Sequence, residues 1–264
     1  MKNIFIRTND EDSSIITKKE LEKILEDNGF NILPEFSDAT DLVITIGGDG
    51  TFLRTFKAIN FASVPVLGIN TGHLGFYTEF IPSELNKVVD ACKSESFTIQ
   101  THKTIQTIVE TNKDELTLDP ALNDALIKNS SSSLLHLDLY IGDSFIESFS
   151  GDGLLVSTPS GSTAYNYALG GSIIDPRLNL LQITPMAPIN NSVYRNFTSS
   201  LLAPTSEKIV IIPKDTNEAI ISIDGRNNNI EGIKKITISI SEKEVKIVRL
   251  SGFDFWNKVN SKFL

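Results

Sequence analysis

Residues 42–51 read LVITIGGDGT. The first half of this stretch, Leu42–Ile46, is apolar on both faces, which is typical of a buried strand in a parallel sheet. The glycines that follow predict a tight turn, and the pattern from Thr51 to Ile59 predicts a helix. Because ligands bind beyond the carboxyl ends of the strands in open α/β sheets, we expect this turn to face a ligand.

The elements around this stretch predict an alternation of strands and helices. A strand is expected at Asn3–Arg7, and a capping box at Thr17–Glu20 predicts the start of a helix that Gly29 ends. A further strand is predicted at Val64–Ile69, and a helix is predicted over residues 82–93. Such an alternation is typical of an α/β layer.

After residue 97, β-branched runs replace this alternation and predict a mainly β domain. The runs are Thr104–Val109, Ala125–Lys128, Leu134–Ile141, Phe145–Phe149, Ile209–Ile212, Ile220–Ile223 and Ile236–Ile240. The serines at 130–133 predict a hairpin turn. We therefore expect an α/β domain over residues 1–100 and a β-rich domain over residues 101–249. The tail, residues 250–264, is expected to form a helix that packs back on the first domain.

The composition favours a globular protein that binds any anionic ligand through a local set of donors. Of the 264 residues, 40% are hydrophobic, and the net charge is −9. That charge repels nucleic acids and anionic membranes, so neither is expected as a partner. No apolar run has the length of a signal peptide or a membrane span, and we expect a cytoplasmic protein. One cysteine, Cys92, and three histidines offer no clustered soft-metal site.

The glycine turn predicts phosphoryl transfer. Three glycines among residues 47–50 allow the backbone to approach a phosphate closely, and the helix that follows offers free N–H groups to an anion. Asp49 would repel that phosphate unless it accepts a proton from an attacking hydroxyl or holds Mg²⁺. The alternative is a tight turn in which Asp49 is a solvent-facing helix cap.

A second polar segment, residues 151–166, reads GDGLLVSTPSGSTAYN. Leu154–Val156 predict a buried strand, and a helix is expected to start among the hydroxyl residues behind it. Ser160 and Thr163 supply donors and acceptors for a base or a sugar, and Tyr165 offers a flat face to an aromatic ring. An ordinary turn followed by a helix cap is the alternative.

Taken in order, these segments resemble the NAD kinase family. The matching segments are Gly47–Thr51, Asn70–Phe76, Leu122–Asp124, Asp152–Gly153 and Thr158–Asn166. Lipid kinases and 6-phosphofructokinases resemble only the first of them. The resemblance implies an α/β N-terminal domain, a mainly β C-terminal domain, and NAD held between them. It also implies transfer of the γ-phosphoryl group of ATP to the 2′-hydroxyl of the adenosine ribose of NAD, with Mg²⁺ or another divalent cation accompanying ATP.

Site residues follow from the resemblance by position. Asp49 is implied to be the proton acceptor, Gly50 its neighbour at the ribose, and Tyr77 a residue near the adenine. The turn residues Gly47, Gly48, Gly50 and Thr51 are expected to form the phosphate loop. The remaining residues expected to contact NAD are Asn123, Asp124, Asp152, Ser160, Thr163, Ala164, Tyr165, Asn166, Tyr167, Ala168, Ala187 and Asp224. No metal ligand is assigned to a protein side chain.

Three points stay open in the sequence. Ser150 stands where many relatives carry an Arg, which puts a charge contact to the dinucleotide in doubt. His73 could contact the triphosphate of ATP or simply hydrogen-bond backbone. The family is commonly homodimeric or homotetrameric, which the resemblance alone implies here.

A kinase for a lipid or sugar hydroxyl and a non-catalytic dinucleotide sensor are the rival interpretations.

Overall fold

A computed structural model describes residues 1–72, 75–129, 134–214 and 218–264. Within it the chain divides into two compact units. The first unit consists of Met1–His102 and Glu244–Leu264, and the second of Lys103–Lys243. The expected hairpin at 130–133 lies outside the described residues.

Helices and parallel strands build the first unit. Its elements are β1 (Asn3–Thr8), α1 (Asp12–Asp27), β2 (Asn31–Leu33), β3 (Leu42–Ile46), α2 (Asp49–Ala58), β4 (Pro65–Ile69), a 3-10 turn (Pro82–Glu84), α3 (Leu85–Ser94) and α5 (Phe255–Phe263). The strands run in the order β2-β1-β3-β4 and are all parallel. Lys246 and Ile247, near the end of β16 (Ile233–Leu250), extend the sheet in parallel beside β4.

The central strand β3 is buried along its whole length, as its apolar sequence predicts. Its side chains Leu42, Ile44 and Ile46 join a core to which α1 contributes Leu21 and α3 contributes Val88. Because β3 is covered on both faces, its carboxyl end is the place where the chain must turn out of the sheet. The glycine turn occupies that position.

The beginning of α1 corrects the prediction that a capping box at Thr17–Glu20 starts this helix. The helix begins at Asp12, with Glu11 as its N-cap residue. Thr17 lies inside the helix, and its hydroxyl donates to the carbonyl oxygen of Ser13, 2.7 Å away. In a capping box the threonine precedes the glutamate by three residues. A threonine inside a helix, whose hydroxyl bonds the carbonyl oxygen one turn earlier, can have the same spacing to a glutamate.

The second unit consists mainly of antiparallel strands. They are the part of β5 (Phe97–Thr111) that follows His102, β6 (Glu115–Thr117), β7 (Asp124–Asn129), β8 (Leu135–Ile141), β9 (Ser144–Gly151), β10 (Gly153–Ser157), β11 (Leu180–Met186), β12 (Leu201–Pro204), β13 (Ile209–Pro213), β14 (Glu218–Ile223), β15 (Arg226–Glu231) and the first part of β16. A 3-10 turn (Ser160–Thr163) and the one-turn helix α4 (Tyr165–Ala168) interrupt them. The expected combination of an α/β and a mainly β domain is confirmed.

One sheet of the second unit has two unlike faces. Its strands follow the order β12-β11-β10-β7-β14-β15. One face, with residues such as Val156 and Ile183, packs into the apolar core of this unit. The register pairs Ser157 with both Gln182 and Asp124 on the opposite face. That face carries buried polar side chains beside Leu126 and Leu155, and the chain from Thr158 onward covers it.

Cys92 lies in α3 and is buried without a disulfide partner. Burial raises the pKa of its thiol to about 11. Among the described residues, no helix has the length and apolarity needed to span a membrane.

Candidate functional site

The glycine turn places Asp49 at the carboxyl end of β3. Gly48 is the N-cap residue of α2, and Asp49 is the first residue of the helix. The side chain of Asp49 is half-buried. Asp49 is therefore not the N-cap residue of α2, and its half-buried side chain does not match the alternative of a solvent-facing cap.

The Asp49 carboxylate instead accepts two hydrogen bonds from a distant loop. The backbone N–H of Phe76 donates to Oδ2 over 2.8 Å, and the N–H of Tyr77 donates to Oδ1 over 3.1 Å. Both oxygens keep lone pairs for a further partner, because a carboxylate oxygen accepts more than one hydrogen bond. The carboxylate is therefore oriented by backbone and still able to take a proton.

Gly75 makes this approach possible. A Cβ atom at this position would lie 2.7 Å from Cγ of Asp49 and overlap its carboxylate. Only a glycine lets the loop come close enough for the next two N–H groups to reach Asp49. Gly75 falls within a segment that the resemblance picks out, but its fit against Asp49 is visible only in three dimensions.

Threonine hydroxyls tie α2 to the strand that precedes it. Thr55 donates to the carbonyl oxygen of Thr51, and its hydroxyl lies 2.9 Å from that of Thr45 in β3. The Thr51 hydroxyl accepts from Arg54 over 3.0 Å. These contacts fix the helix start relative to β3. The predicted phosphate loop therefore has a rigid base.

Tyr77, predicted to lie near the adenine, is buried and stacks on Phe52 of α2. The two ring centroids are 5.2 Å apart, and the planes differ by 10°. Stacking of this kind holds the loop against the helix through the side chain as well as through the N–H group. His73, the other open residue of this region, lies outside the described residues.

In the second unit, Asp224 organises the Asn123–Asp124 pair. Asp224 and Gly225 form the two-residue turn between β14 and β15, and both have positive φ values, 47° and 77°. The carboxylate of Asp224 accepts N–H donors from Leu122 (2.9 Å), Asn123 (2.7 Å) and Asp124 (3.2 Å). The sequence suggested a ribose contact for Asp224; in the structure its oxygens hold the backbone at the start of β7.

The side chain of Asp124 is buried, and that of Asp224 is half-buried. Burial, together with the nearby Asp224 carboxylate, raises the pKa of Asp124 to about 7. Burial also raises the pKa of Asp224, and its three N–H donors and Arg226 work in the opposite direction. Burial and the neighbouring carboxylate therefore both favour the protonated form of Asp124.

Asn166 lies inside the unit. Its side chain is fully buried, and its amide donates to the carbonyl oxygens of Ser162 and Ser172 and accepts from the hydroxyl of Thr184. Thr184 stands on the polar face of the sheet described above. Asn166 thus fastens the covering segment to that face, and any part it takes in binding NAD acts through the residues it positions.

The residues on either side of Asn166 point outward. Tyr165 is 42% exposed and Tyr167 is 45% exposed, so neither is a core aromatic. Ala164 and Thr163 are half-buried, as is Ser160, and Ala168 is exposed. The Tyr165 hydroxyl lies 4.0 Å from the sulfur of Met186 at the end of β11.

Asp152 and Ala187 lie at the same end of the sheet, next to the paired residues Gly153 and Met186. Both are exposed, and the N–H of Asp152 donates to the carbonyl oxygen of Met186. Ser150, which stands where many relatives carry an Arg, is buried, and its hydroxyl lies 2.8 Å from Nδ1 of His136. Predicted NAD contacts therefore occur at both ends of the strands in this unit.

Two family models match the chain. The model of the ATP-NAD kinase N-terminal domain covers residues 31–97, and that of the ATP-NAD kinase C-terminal domain covers residues 122–250. The NAD kinase of Finegoldia magna is 35% identical over 100% of this chain and 98% of its own length. The NAD kinase of Lactobacillus gasseri is 40% identical over 97% of this chain and 95% of its own. The chain belongs to the ATP-NAD kinase family.

Two solved structures share the fold. Yeast NADH kinase complexed with NADH has a TM-score of 0.85 at 21% identity, with 98% of this chain and 86% of that chain covered. An NAD kinase from Archaeoglobus fulgidus in complex with ATP has a TM-score of 0.77 at 23% identity, with 99% of each chain covered. The expected family and two-domain fold are confirmed, as is the enzyme class, a phosphotransferase with an alcohol group as acceptor.

Replacement of Gly75 by alanine tests the contact between the loop and Asp49. The added methyl group forces either the loop or the carboxylate to move, so we expect kcat for NADP formation to fall at least tenfold, with a loss of about 1–3 kcal/mol in stability. Gly72→Ala is the matched control, because its Cβ would meet Asn70 Oδ1 at an ordinary 3.8 Å. Equal activity of the two variants would show that the loop does not constrain Asp49.

The buried Asp124 predicts how stability depends on pH. Its pKa is about 7 in the folded protein and near 4 when unfolded, so the folded state binds the extra proton. Stability should therefore fall as pH rises from 4 to 7, by on the order of 3 kcal/mol. In Asp124→Asn, urea unfolding at pH 5 and pH 8 should show a smaller difference. Asp143→Asn, at an exposed turn, should unfold like the wild type, and an unchanged pH dependence in Asp124→Asn would contradict the assignment.

Proposed function

We propose that Asp49 accepts the proton of the 2′-hydroxyl of NAD during phosphoryl transfer. The oxygen of that hydroxyl attacks the γ-phosphorus of ATP, the bond between the γ-phosphorus and the bridging oxygen breaks, and NADP and ADP leave. The observation that carries this proposal is the Asp49 carboxylate itself, held by the Phe76 and Tyr77 N–H groups with lone pairs to spare. A fixed base lowers the barrier mainly by orientation.

The start of α2 is suited to the phosphates of ATP. The first N–H groups of a helix commonly lack partners within it, although that of Thr51 donates here to the carbonyl oxygen of Gly48. Gly48 and Gly50 are at least partly exposed and carry no side chain over the backbone, whereas Gly47 is buried and its N–H donates to the carbonyl oxygen of Ile69. Partial positive charge at the helix start favours the anionic γ-phosphoryl group. Asp49 then stands beside the group that is transferred.

ATP is proposed to enter as its Mg²⁺ complex. Among the described residues, no three His, Cys, Asp or Glu side chains cluster as a metal site. In nucleotide sites Mg²⁺ takes most of its ligands from phosphates and water and only one or two from protein carboxylates, so it does not require such a cluster. Asp49 is the carboxylate of the loop that would serve as a ligand, and the ion, when bound, would neutralise charge on the triphosphate.

In the second unit we propose that Asn123 and Asp124 bind the dinucleotide, with Asp152 at the nicotinamide half and residues 163–168 at the adenosine half. The exposed rings of Tyr165 and Tyr167 support a stacking role. Ser160 and Ala187 complete the proposed contacts. Asp224 supports binding by holding the backbone of Asn123 and Asp124 in place.

A cytoplasmic location and a homodimeric or homotetrameric state are also proposed. The single cysteine, buried and unpaired, agrees with a reducing compartment. Several large apolar side chains of the second unit are exposed, among them Val193, Phe197 and Leu202, which supports a subunit contact there. Light scattering of the purified protein measures the subunit number.

Asp49→Asn tests the proposed base. We expect kcat to fall about 100-fold or more while the Kd for NAD changes little, because an amide has nearly the same shape but accepts protons poorly. Asp41→Asn is the control, since the Asp41 carboxylate also accepts two backbone N–H groups, those of Lys2 and Asn3. If Asp49→Asn turned over at the wild-type rate, Asp49 would not be the base.

Membership of the ATP-NAD kinase family favours an NAD kinase over the two rival interpretations, and assays of the wild-type protein check it. A dinucleotide sensor would form no NADP in the wild type, and a kinase for another hydroxyl would prefer a lipid or sugar in a panel of acceptors. Parallel assays with ATP and inorganic polyphosphate identify the phosphoryl donor, and parallel assays with NAD and NADH identify the acceptor.

Tyr165→Ala tests the adenosine side. The loss of a stacking contact should raise the Kd for NAD about fivefold, which corresponds to about 1 kcal/mol, with little change in the Tm of the ligand-free protein. The matched control is Phe145→Ala in β9, where the ring is 54% exposed. Calorimetric titration and thermal unfolding give the two quantities. A large fall in Tm with unchanged affinity would assign Tyr165 to packing.

A further inference from the structure

The loop that orients Asp49 is itself held by the C-terminal segment of the chain. This loop, Phe76–Glu79, and the C-terminal segment, Arg249–Phe263, belong to the same compact unit. The family models end at residue 250, so they do not cover α5. The contacts between the loop and this segment are nevertheless extensive.

One peptide group connects Arg249 to Asp49. The carbonyl oxygen of Phe76 accepts from Nη1 of Arg249 over 2.9 Å. The N–H of the same peptide group belongs to Tyr77 and donates to Asp49. A cation at the carbonyl end polarises the peptide and strengthens its N–H as a donor. Arg249 therefore acts on the Asp49 carboxylate through a single peptide.

Lys258 of α5 holds the next carbonyl along the loop. Its Nζ donates to the carbonyl oxygen of Thr78 over 2.5 Å and lies 3.4 Å from Oε1 of Glu79. Glu79 also pairs with Arg249 at 2.7 Å, and all three side chains are largely buried. Burial lowers the pKa of Lys258, while the charges of Glu79 and Asp49 raise it.

Aromatic rings add a second attachment. The Phe76 ring lies 6.5 Å from that of Phe255 and 5.7 Å from that of Phe263, measured between centroids. The Phe253 ring lies under the Arg249 guanidinium, 4.1 Å from it. Helix α5 therefore fixes the loop by packing as well as by hydrogen bonds.

We propose that α5 is a positioning element for phosphoryl transfer, in which Lys258 acts through the Phe76–Glu79 loop to hold Asp49 in its reactive orientation. This inference rests on the proposed role of Asp49. A residue that acts by orienting Asp49 is expected to affect turnover more than substrate binding, because its effect is on the reacting group.

Lys258→Met tests the proposal in the full-length protein. The methionine keeps the apolar stem and removes the charge, so we expect kcat to fall about tenfold with both KM values within twofold of wild type. Lys258→Arg should restore most of the turnover. Lys262→Met changes an exposed lysine of the same helix and should leave kcat unchanged. A kcat for Lys258→Met within twofold of wild type would overturn the proposal.

A double variant distinguishes this inference from the role of Asp49 itself. If Lys258 acts through Asp49, then Asp49→Asn with Lys258→Met should be no slower than Asp49→Asn alone. A further tenfold loss in the double variant would refute the coupling, whereas a fully active Asp49→Asn would refute the base. Should Lys258→Met fail to fold, Phe263→Leu is decisive: it should lower kcat at least threefold at unchanged KM, and an unchanged kcat would overturn the proposal.

Discussion

Two backbone N–H groups donate to the carboxylate of Asp49, and the arrangement of the first unit depends on these two hydrogen bonds. For Phe76 and Tyr77 to reach Asp49, the loop must approach the start of α2 without a side chain at Gly75. The ring of Tyr77 must also stack on the ring of Phe52. The parallel sheet supplies the frame, because β3 delivers the turn at its carboxyl end. Sheet, helix and loop are thus linked through a single side chain.

The second unit buries polar groups and provides them with hydrogen-bond partners. One face of its sheet carries Gln182 and Thr184, and the covering chain pairs with them through Ser172 and Asn166. Unbonded groups in such a layer would cost free energy, so the covering chain has one favourable position. This fixed layer presents Tyr165 and Tyr167 outward.

Both ends of strand β3 were predicted correctly from the sequence. Its short run is apolar on both faces and is followed by glycines, a pattern typical of a buried strand. Strand β11 was not predicted, since Gln182 and Thr184 are polar although buried, and Pro185 interrupts its pattern. Residue types and order were enough to identify the family and to single out Asp49. The contact of Asp224 with residues 122–124 and that of Arg249 with Phe76 join positions about a hundred or more residues apart, and local pattern carries no information on them.

The buried thiol of Cys92 gives the protein a practical property. A thiol with a raised pKa and no access to solvent reacts slowly with maleimides and disulfide reagents near neutral pH. The wild-type chain has no other cysteine and therefore reacts very little with thiol-directed labels. A fluorophore or spin label attached to a cysteine engineered at an exposed position would report from that position alone.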